Sequence, residues 1–290
     1  MTAHTWHILG AGAMGTLMHH LCESNGVHSE LLHHRDQEEP RAMFQDGIRS
    51  EYLARPLADQ QEQSIERLLV ATKAAQVGPA VRAIKNSLTP NATVVCIANG
   101  LGWDREIPES CPTVARALTT AGAYRDSEGD VHTVSTGSTQ VGVMNEADAS
   151  PSWFSDSLQL LPGWNWETDI ATAVHRKFAV NCVINPLTAV LTCRNGELVS
   201  NEAYASKLRA LCDECEPALE SLDFWPDSES LFEAASTVCV NTAGNRSSML
   251  QDVLAGRKTE MQYLGGELLT LAAKDGVDLP KMAELNQKLT

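Results

Sequence analysis

The stretch His7-Ile8-Leu9-Gly10-Ala11-Gly12-Ala13-Met14-Gly15 decides the fold. The apolar run from Thr5 to Leu9 reads as a strand, and Ala13 to Ser24 has the pattern of a helix, so the glycines fill the turn between them. That context turns a G-x-G-x-x-G spacing into a dinucleotide-binding signal. Gly10 permits the tight bend, Gly12 lets the backbone approach a pyrophosphate, and Gly15 lets the helix pack closely on the strand. Amide groups at the helix start, among Ala11, Ala13 and Met14, then face the diphosphate. The alternative is a tight strand-helix turn that holds no ligand.

Working outward, the same alternation continues. Ser29 to His33 is a second predicted strand, Arg67 to Ala71 a further one, followed by a helix to about Lys85, and Ala92 to Ile97 another strand. Val114 to Val143 has the alternating, Gly/Thr-rich texture of later strands and hairpins. Such β-α-β order implies a parallel sheet with helices on both faces. From about Ile170 the pattern is helical at nearly every point, broken at Pro186, Asn195-Gly196, Pro226, Gly244 and Gly256. The expected fold is therefore α/β: a Rossmann-type dinucleotide-binding domain over residues 1–168, then an all-helical domain over 169–290.

Composition narrows the function. Hydrophobic content of 43% and charged content of 20% over 290 residues are those of a soluble globular protein. The net charge of −15 argues against nucleic acid and against anionic membranes as partners. No apolar run is long enough to span a bilayer, and the N-terminus lacks the tracts of a secretory signal. Eight scattered cysteines resemble reduced, buried thiols, which points to the cytoplasm. Cys212 and Cys215 form a CxxC one helical turn apart, but no second pair lies at zinc-site spacing, so they read as core and no metal site is expected.

Several residues can carry chemistry. The second strand ends in His33-His34-Arg35-Asp36. An acidic residue there would bind the ribose 2′-hydroxyl of NAD, whereas the planar fork of Arg35 suits a 2′-phosphate, so NADP(H) is the expected cofactor, with Asp36 pulling the other way. Lys73 and Asn99-Gly100 follow predicted strands at the sheet edge where ligands bind; a surface lysine and a plain turn are the alternatives. In the helical half, Lys177 and Asn181 share a helix face, with Asn185 on the same side, inside an otherwise apolar run. A partly buried lysine can donate a proton near neutral pH and stabilise a developing alkoxide. Buried amides need partners, and bonding between helices would satisfy them as well as a substrate would. Pro186 is expected to kink that helix. Ser248 and Gln251 have capping-box spacing, so Ser248 is predicted to open a helix whose start can also receive a carboxylate.

Taken together, these segments resemble the ketopantoate reductase family, the NADPH-dependent 2-dehydropantoate 2-reductases of pantothenate biosynthesis. The likeness covers essentially the whole chain. Its most specific part runs from Lys177-Phe-Ala-Val-Asn181 through Asn185-Pro-Leu-Thr-Ala to Asn195-Gly196-Glu197-Leu198. Gly10 to Gly15, Lys73-Ala-Ala-Gln-Val, Asn99-Gly100-Leu-Gly102, Asn245 to Asp252 and Thr259-Glu260 agree in content and order. The resemblance implies that the active site lies in a cleft between the two domains, with Lys177 as proton donor to the C2 ketone. It implies that Asn99, Asn181, Asn185, Asn195 and Ser248 hold a small 2-oxo acid, that Arg35 and Lys73 serve NADPH, and that Glu260 and Asn99 contact the cofactor or order the site. Two departures stand out. Ala98 replaces a histidine frequent in the family, and Gln262 with Leu264-Gly265-Gly266 replaces a segment that usually carries aspartate and then Asn-Gly. Adjacent glycines are expected to loosen that helix. A reductase of another small 2-oxo acid, or a protein that senses NADP(H) without turnover, fits the same motifs. The sequence leaves monomer and homodimer both open.

Overall fold

The computed structural model describes residues 4–60, 64–109, 111, 113–144, 149–226 and 228–290. The chain forms two compact units. One comprises Met1–Ala98 with Trp103–Ala171, the other Asn99–Gly102 with Thr172–Thr290.

The first unit is built on one sheet. Its strands are β1 (Trp6–Leu9), β2 (Ser29–His33), β3 (Glu39–Gln45), β4 (Ile48–Pro56), β5 (Ile65–Val70), β6 (Leu88–Cys96), β7 (Thr113–Thr119), β8 (Gly122–Arg125), β9 (Val131–Ser135), β10 (Thr139–Val143) and β11 (Trp164–Trp166). Among the described residues their order is β11-β10-β7-β6-β5-β1-β2-β4-β3-β9-β8. The centre is parallel: β1 pairs with β2 and β5, β5 with β6, and β6 with β7. From β1 the chain moves to one side through helix α1 (Ala13–Ser24), and later returns to β5 on the other side. The carboxyl ends of β1 and β5 thus mark the switch point, where ligands bind in such sheets. Buried Ile8, Leu17, Leu21, Leu31, Leu69 and Val95 share one core there. Trp6, fully buried, donates from Nε1 to Ser157 Oγ at 3.0 Å, so its polar atom is satisfied inside that core.

The hairpin of β3 and β4 adds an antiparallel extension that the alternation reading did not resolve. Gln45 pairs with Ile48 across a two-residue turn of Asp46 and Gly47, both at positive φ (52° and 79°). That is the backbone a tight hairpin requires, and Asp-Gly is its sequence signature.

The second unit is helical apart from its 99–102 loop. After helices α2 (Ala74–Ile84) and α3 (Ser152–Ser155) of the first unit come α4 (Ile170–Leu191), α5 (Glu197–Ser200), α6 (Glu202–Ser221), α7 (Leu231–Asn241), α8 (Ser248–Leu254), α9 (Gly265–Lys274) and α10 (Pro280–Leu289). Asn201 caps α6 by accepting from the Ala203 and Tyr204 amides. The α10 start is capped from a distance: Glu214 of α6 accepts from the Lys281 and Met282 amides at 3.0 and 2.9 Å. Cys212 and Cys215 are unpaired and fully buried, and burial raises both thiols, that of Cys212 to about 12.

Two sequence expectations need correction. Helix α4 does not break at Pro186 but runs through it. Pro186 is itself buried, so tertiary packing holds the helix where local propensity would end it. Gly265 and Gly266 do not loosen a helix interior, because they are the first two residues of α9, where the entropic cost of glycine is small. A Cβ on Gly265 would lie 2.3 Å from Met261 Cε and 2.5 Å from Met282 Sδ, so a larger residue there would require these two flexible side-chain ends to move.

Candidate active site

In the first unit the candidate residues gather at the switch point. Gly10 has φ +115°, and a Cβ on it would lie 2.9 Å from Thr72 Cγ2 and 3.0 Å from the Ala71 carbonyl. A Cβ on Gly15 would stand 1.9 Å from the Gly10 carbonyl oxygen. Neither position accepts a side chain. Gly12 differs: its Cβ would meet nothing within 4 Å, so the space beside it is open to a ligand. The helix α1 begins there with Gly12 as N-cap, no side-chain cap and no acidic residue in its first turn. Its first amides are therefore left to an external acceptor, and an anion is favoured there. Ala11 is buried, while Ala13 and Met14 are half-buried in the first turn.

Arg35 follows β2 and is exposed, as is Asp36. His33, just before them, is buried; its Nε2 lies 3.1 Å from the Ala54 carbonyl and its Nδ1 accepts from the Arg35 amide at 3.2 Å. That pairing assigns the proton to Nε2 and fixes the backbone from which Arg35 projects. Arg35 pairs with Glu39, a partner that the sequence reading missed. Arg41, also missed, donates from Nε to the Ala11 carbonyl at 3.0 Å, inside the glycine turn. Lys73 is exposed at the N-cap of α2, two residues beyond Ala71, whose amide donates to Leu9 at 2.9 Å. The open space at Gly12, the bare helix start and the arginine after β2 fit a dinucleotide.

In the second unit, Lys177 and Asn181 lie one turn apart on α4, both half-buried. Burial draws the Lys177 ammonium down to about 8, and the nearby Glu260 carboxylate opposes the fall. Glu260 precedes a short 3₁₀ turn, Met261–Tyr263, and its Oε2 accepts from Asn99 Nδ2 at 3.4 Å. The 99–102 loop is fixed at that turn. The Leu101 amide donates to the Tyr263 carbonyl at 2.9 Å, and a Cβ on Gly100 would lie 2.1 Å from that same oxygen. Lys177, Glu260 and Asn99 are thereby linked across long stretches of sequence.

The other candidates take different positions. Asn185 is buried on α4. Asn195 donates from Nδ2 to Thr242 Oγ1 at 2.9 Å, while its Oδ1 is buried and has no hydrogen-bond partner among the described residues. Its amide bonds the Asn245 carbonyl at 3.0 Å, so Asn195 ties the α4–α5 connection to the loop before α8. The helix cap is Ser247 rather than Ser248: Ser247 Oγ accepts from the Leu250 amide at 3.1 Å and lies 2.7 Å from Thr188 Oγ1 of α4. Ser248 is the exposed first residue of the helix.

Comparison with known proteins agrees with both halves. Residues 6–146 match the family described as "Ketopantoate reductase PanE/ApbA", and residues 169–289 match "Ketopantoate reductase PanE/ApbA C terminal". The 2-dehydropantoate 2-reductase of Yersinia pestis is 37% identical over 221 residues, spanning 76% of this chain and 72% of that protein. That of Vibrio cholerae serotype O1 is 33% identical over 225 residues, spanning 77% and 76%. Solved structures share the fold. D-mandelate dehydrogenase in ternary complex with NADH and anilino(oxo)acetate superposes with a TM-score of 0.86 at 20% identity, covering 98% of this chain and 96% of that one. The probable 2-dehydropantoate 2-reductase of Bacillus subtilis gives 0.80 at 24%, covering 98% of each.

Proposed function

The chain belongs to the ketopantoate reductase family, and from that premise we propose that it is an NADPH-dependent reductase of 2-dehydropantoate, yielding pantoate for pantothenate synthesis. The observation that carries the reading is Lys177, an ammonium drawn down to about 8 beside Glu260, on the helix that also bears Asn181. A general acid works best when its pKa lies near the working pH.

The division of labour follows the two units. Gly10, Ala11, Gly12, Ala13, Met14 and Gly15 hold the cofactor diphosphate, Arg35 its 2′-phosphate, and Lys73 its phosphates or ribose. The bound nicotinamide cofactor supplies the hydride for the C2 carbonyl carbon. Lys177 holds the carbonyl oxygen by a charge-assisted hydrogen bond and gives it a proton, so the alkoxide never develops unpaired. Its neutral amine then regains a proton from solvent. Asn181, Asn185 and Asn195 offer amides to the substrate's hydroxyl and carboxylate, and the exposed Ser248 at the α8 start offers a hydroxyl and backbone amide. Asn99 and Glu260 keep the lysine charged and in place. Reduced, unpaired thiols suit a cytoplasmic location.

The test is loss of NADPH absorbance with 2-dehydropantoate, set beside 2-oxoisovalerate and pyruvate and repeated with NADH. Rapid oxidation of NADPH with 2-dehydropantoate alone is expected. Faster turnover of another acid would move the substrate assignment. Cofactor binding without turnover of any of the three would replace catalysis by a sensing role.

A further inference from the structure

The hairpin of β3 and β4 carries a second arginine to the glycine turn. The Arg41 side chain is only 9% exposed. Its Nε donates to the Ala11 carbonyl at 3.0 Å and one terminal nitrogen donates to the Pro40 carbonyl at 2.8 Å. The other terminal nitrogen pairs with one oxygen of Glu39, whose second oxygen pairs with Arg35. Arg125, the last residue of β8, lies within the same field. Its pKa is lowered by burial and then by the positive charges of Arg41 and Arg35, with Glu39 and Asp126 acting the other way. Asp126 is itself bonded to His132 at 2.7 Å.

Arg35 and Arg41 are thus held together by one carboxylate, Glu39, with Arg41 seated on the glycine turn, in a protein whose net charge is −15. Glu39 meets both guanidinium groups with a single negative charge, so the cluster of the three keeps a net positive charge. A carboxylate offers one negative charge and two oxygens. A phosphate monoester offers nearly two charges and three oxygens, and guanidinium forks match it well.

We propose that Arg41 binds the cofactor's 2′-phosphate together with Arg35, and that Glu39 is an internal counter-ion which this phosphate displaces. This rests on the NADP(H) reading above and adds the residues that enforce it. With a cofactor that has only a 2′-hydroxyl, Glu39 stays between its arginines and the site gains nothing. With the phosphate, the carboxylate swings out and the arginines re-pair. Hydrogen bonds from Arg35 and then Arg41 hold the Glu39 carboxyl near 2, so it competes in its charged form at every working pH. The bond from Arg41 to Ala11 couples the 2′-phosphate position to the diphosphate turn.

The experiment is calorimetric binding of 2′,5′-ADP and 5′-AMP, which differ only in the 2′-phosphate, to the full chain and to Glu39→Gln and Arg41→Gln. The wild type is expected to bind 2′,5′-ADP the more tightly. Removing one charged partner should change affinity by about tenfold. Glu39→Gln should tighten 2′,5′-ADP by that factor and leave 5′-AMP within about twofold. Arg41→Gln should weaken 2′,5′-ADP by as much and 5′-AMP far less. Equal weakening of both nucleotides by Arg41→Gln would mean that Arg41 only braces the turn, and would overturn the proposal. So would unchanged or weaker 2′,5′-ADP binding in Glu39→Gln, a surface change that preserves side-chain size. Weaker 5′-AMP binding in that variant would make Glu39 a ribose ligand instead. A wild type that does not distinguish the two nucleotides would sink the NADP(H) reading itself, a failure visible before any variant is made.

Discussion

At Gly15 one added carbon would stand 1.9 Å from a backbone oxygen, whereas at Lys177 the deciding quantity is a charge, drawn down to about 8 by burial and opposed by Glu260. The cofactor turn is made almost entirely of backbone. In the proposed role, absent side chains and bare helix amides make room for the diphosphate. The Lys177 cluster is made of side chains, and each gains its meaning from a partner far away in sequence. Sterics govern the first region and electrostatics the second, so the two should fail in different ways.

The largest effect expected is at Lys177. Lys177→Ala removes the proposed proton donor and should lower kcat by roughly 10²- to 10⁴-fold, the range for general acid catalysis. NADPH affinity, measured by fluorescence titration, should hold. Loss of both in parallel would erase the distinction between the two regions.

Next come the glycines, which separate fold from binding within one turn. Gly15→Ala forces a shift in packed backbone and should cost about 1–3 kcal/mol of stability in thermal unfolding. Gly12→Ala meets open space, with φ at −84°, so the melting temperature should hold while NADPH affinity falls. Equal melting temperatures for the two variants would show that the turn yields more easily than its geometry implies.

A smaller effect sharpens the assignment at α8. Ser247→Ala removes a helix cap and should cost about 1 kcal/mol. Ser248→Ala, at an exposed first position, should leave stability within about 0.5 kcal/mol and raise the substrate KM.

The two regions also differed in how far they could be read from sequence. The glycine turn, α1 and the central strands were legible because their determinants lie within a few residues of one another; α1 spans Ala13–Ser24 as expected. The β3–β4 hairpin carried a local signal too, Asp46-Gly47, overlooked among surrounding charges. Without that hairpin neither Glu39 nor Arg41 could be placed. Lys177 was legible as a polar interruption of an apolar helix, but its partner Glu260 and the Asn99 bond depend on folding. The family likeness implied a role for Glu260 in the cofactor contact or the order of the site, without pairing it with Lys177 or Asn99. The serine cap was misplaced by one position because two adjacent serines satisfy the same pattern and only burial separates them: Ser247 is buried and Ser248 exposed. Pro186 misled for a related reason, since burial of α4 outweighs one lost backbone bond.

Proton donation, as proposed, resides in the side-chain region and is separable from cofactor binding in the backbone region. The direct test is the pH dependence of kcat/KM for the wild type, with NADPH affinity measured at each pH. A donor must be protonated to act, and Lys177 loses its proton as pH rises through about 8. The expected profile is level below that point and falls about tenfold per pH unit above it, with cofactor affinity flat throughout. A rate that stays level well past that point, or an affinity that falls in step with it, would contradict the claim.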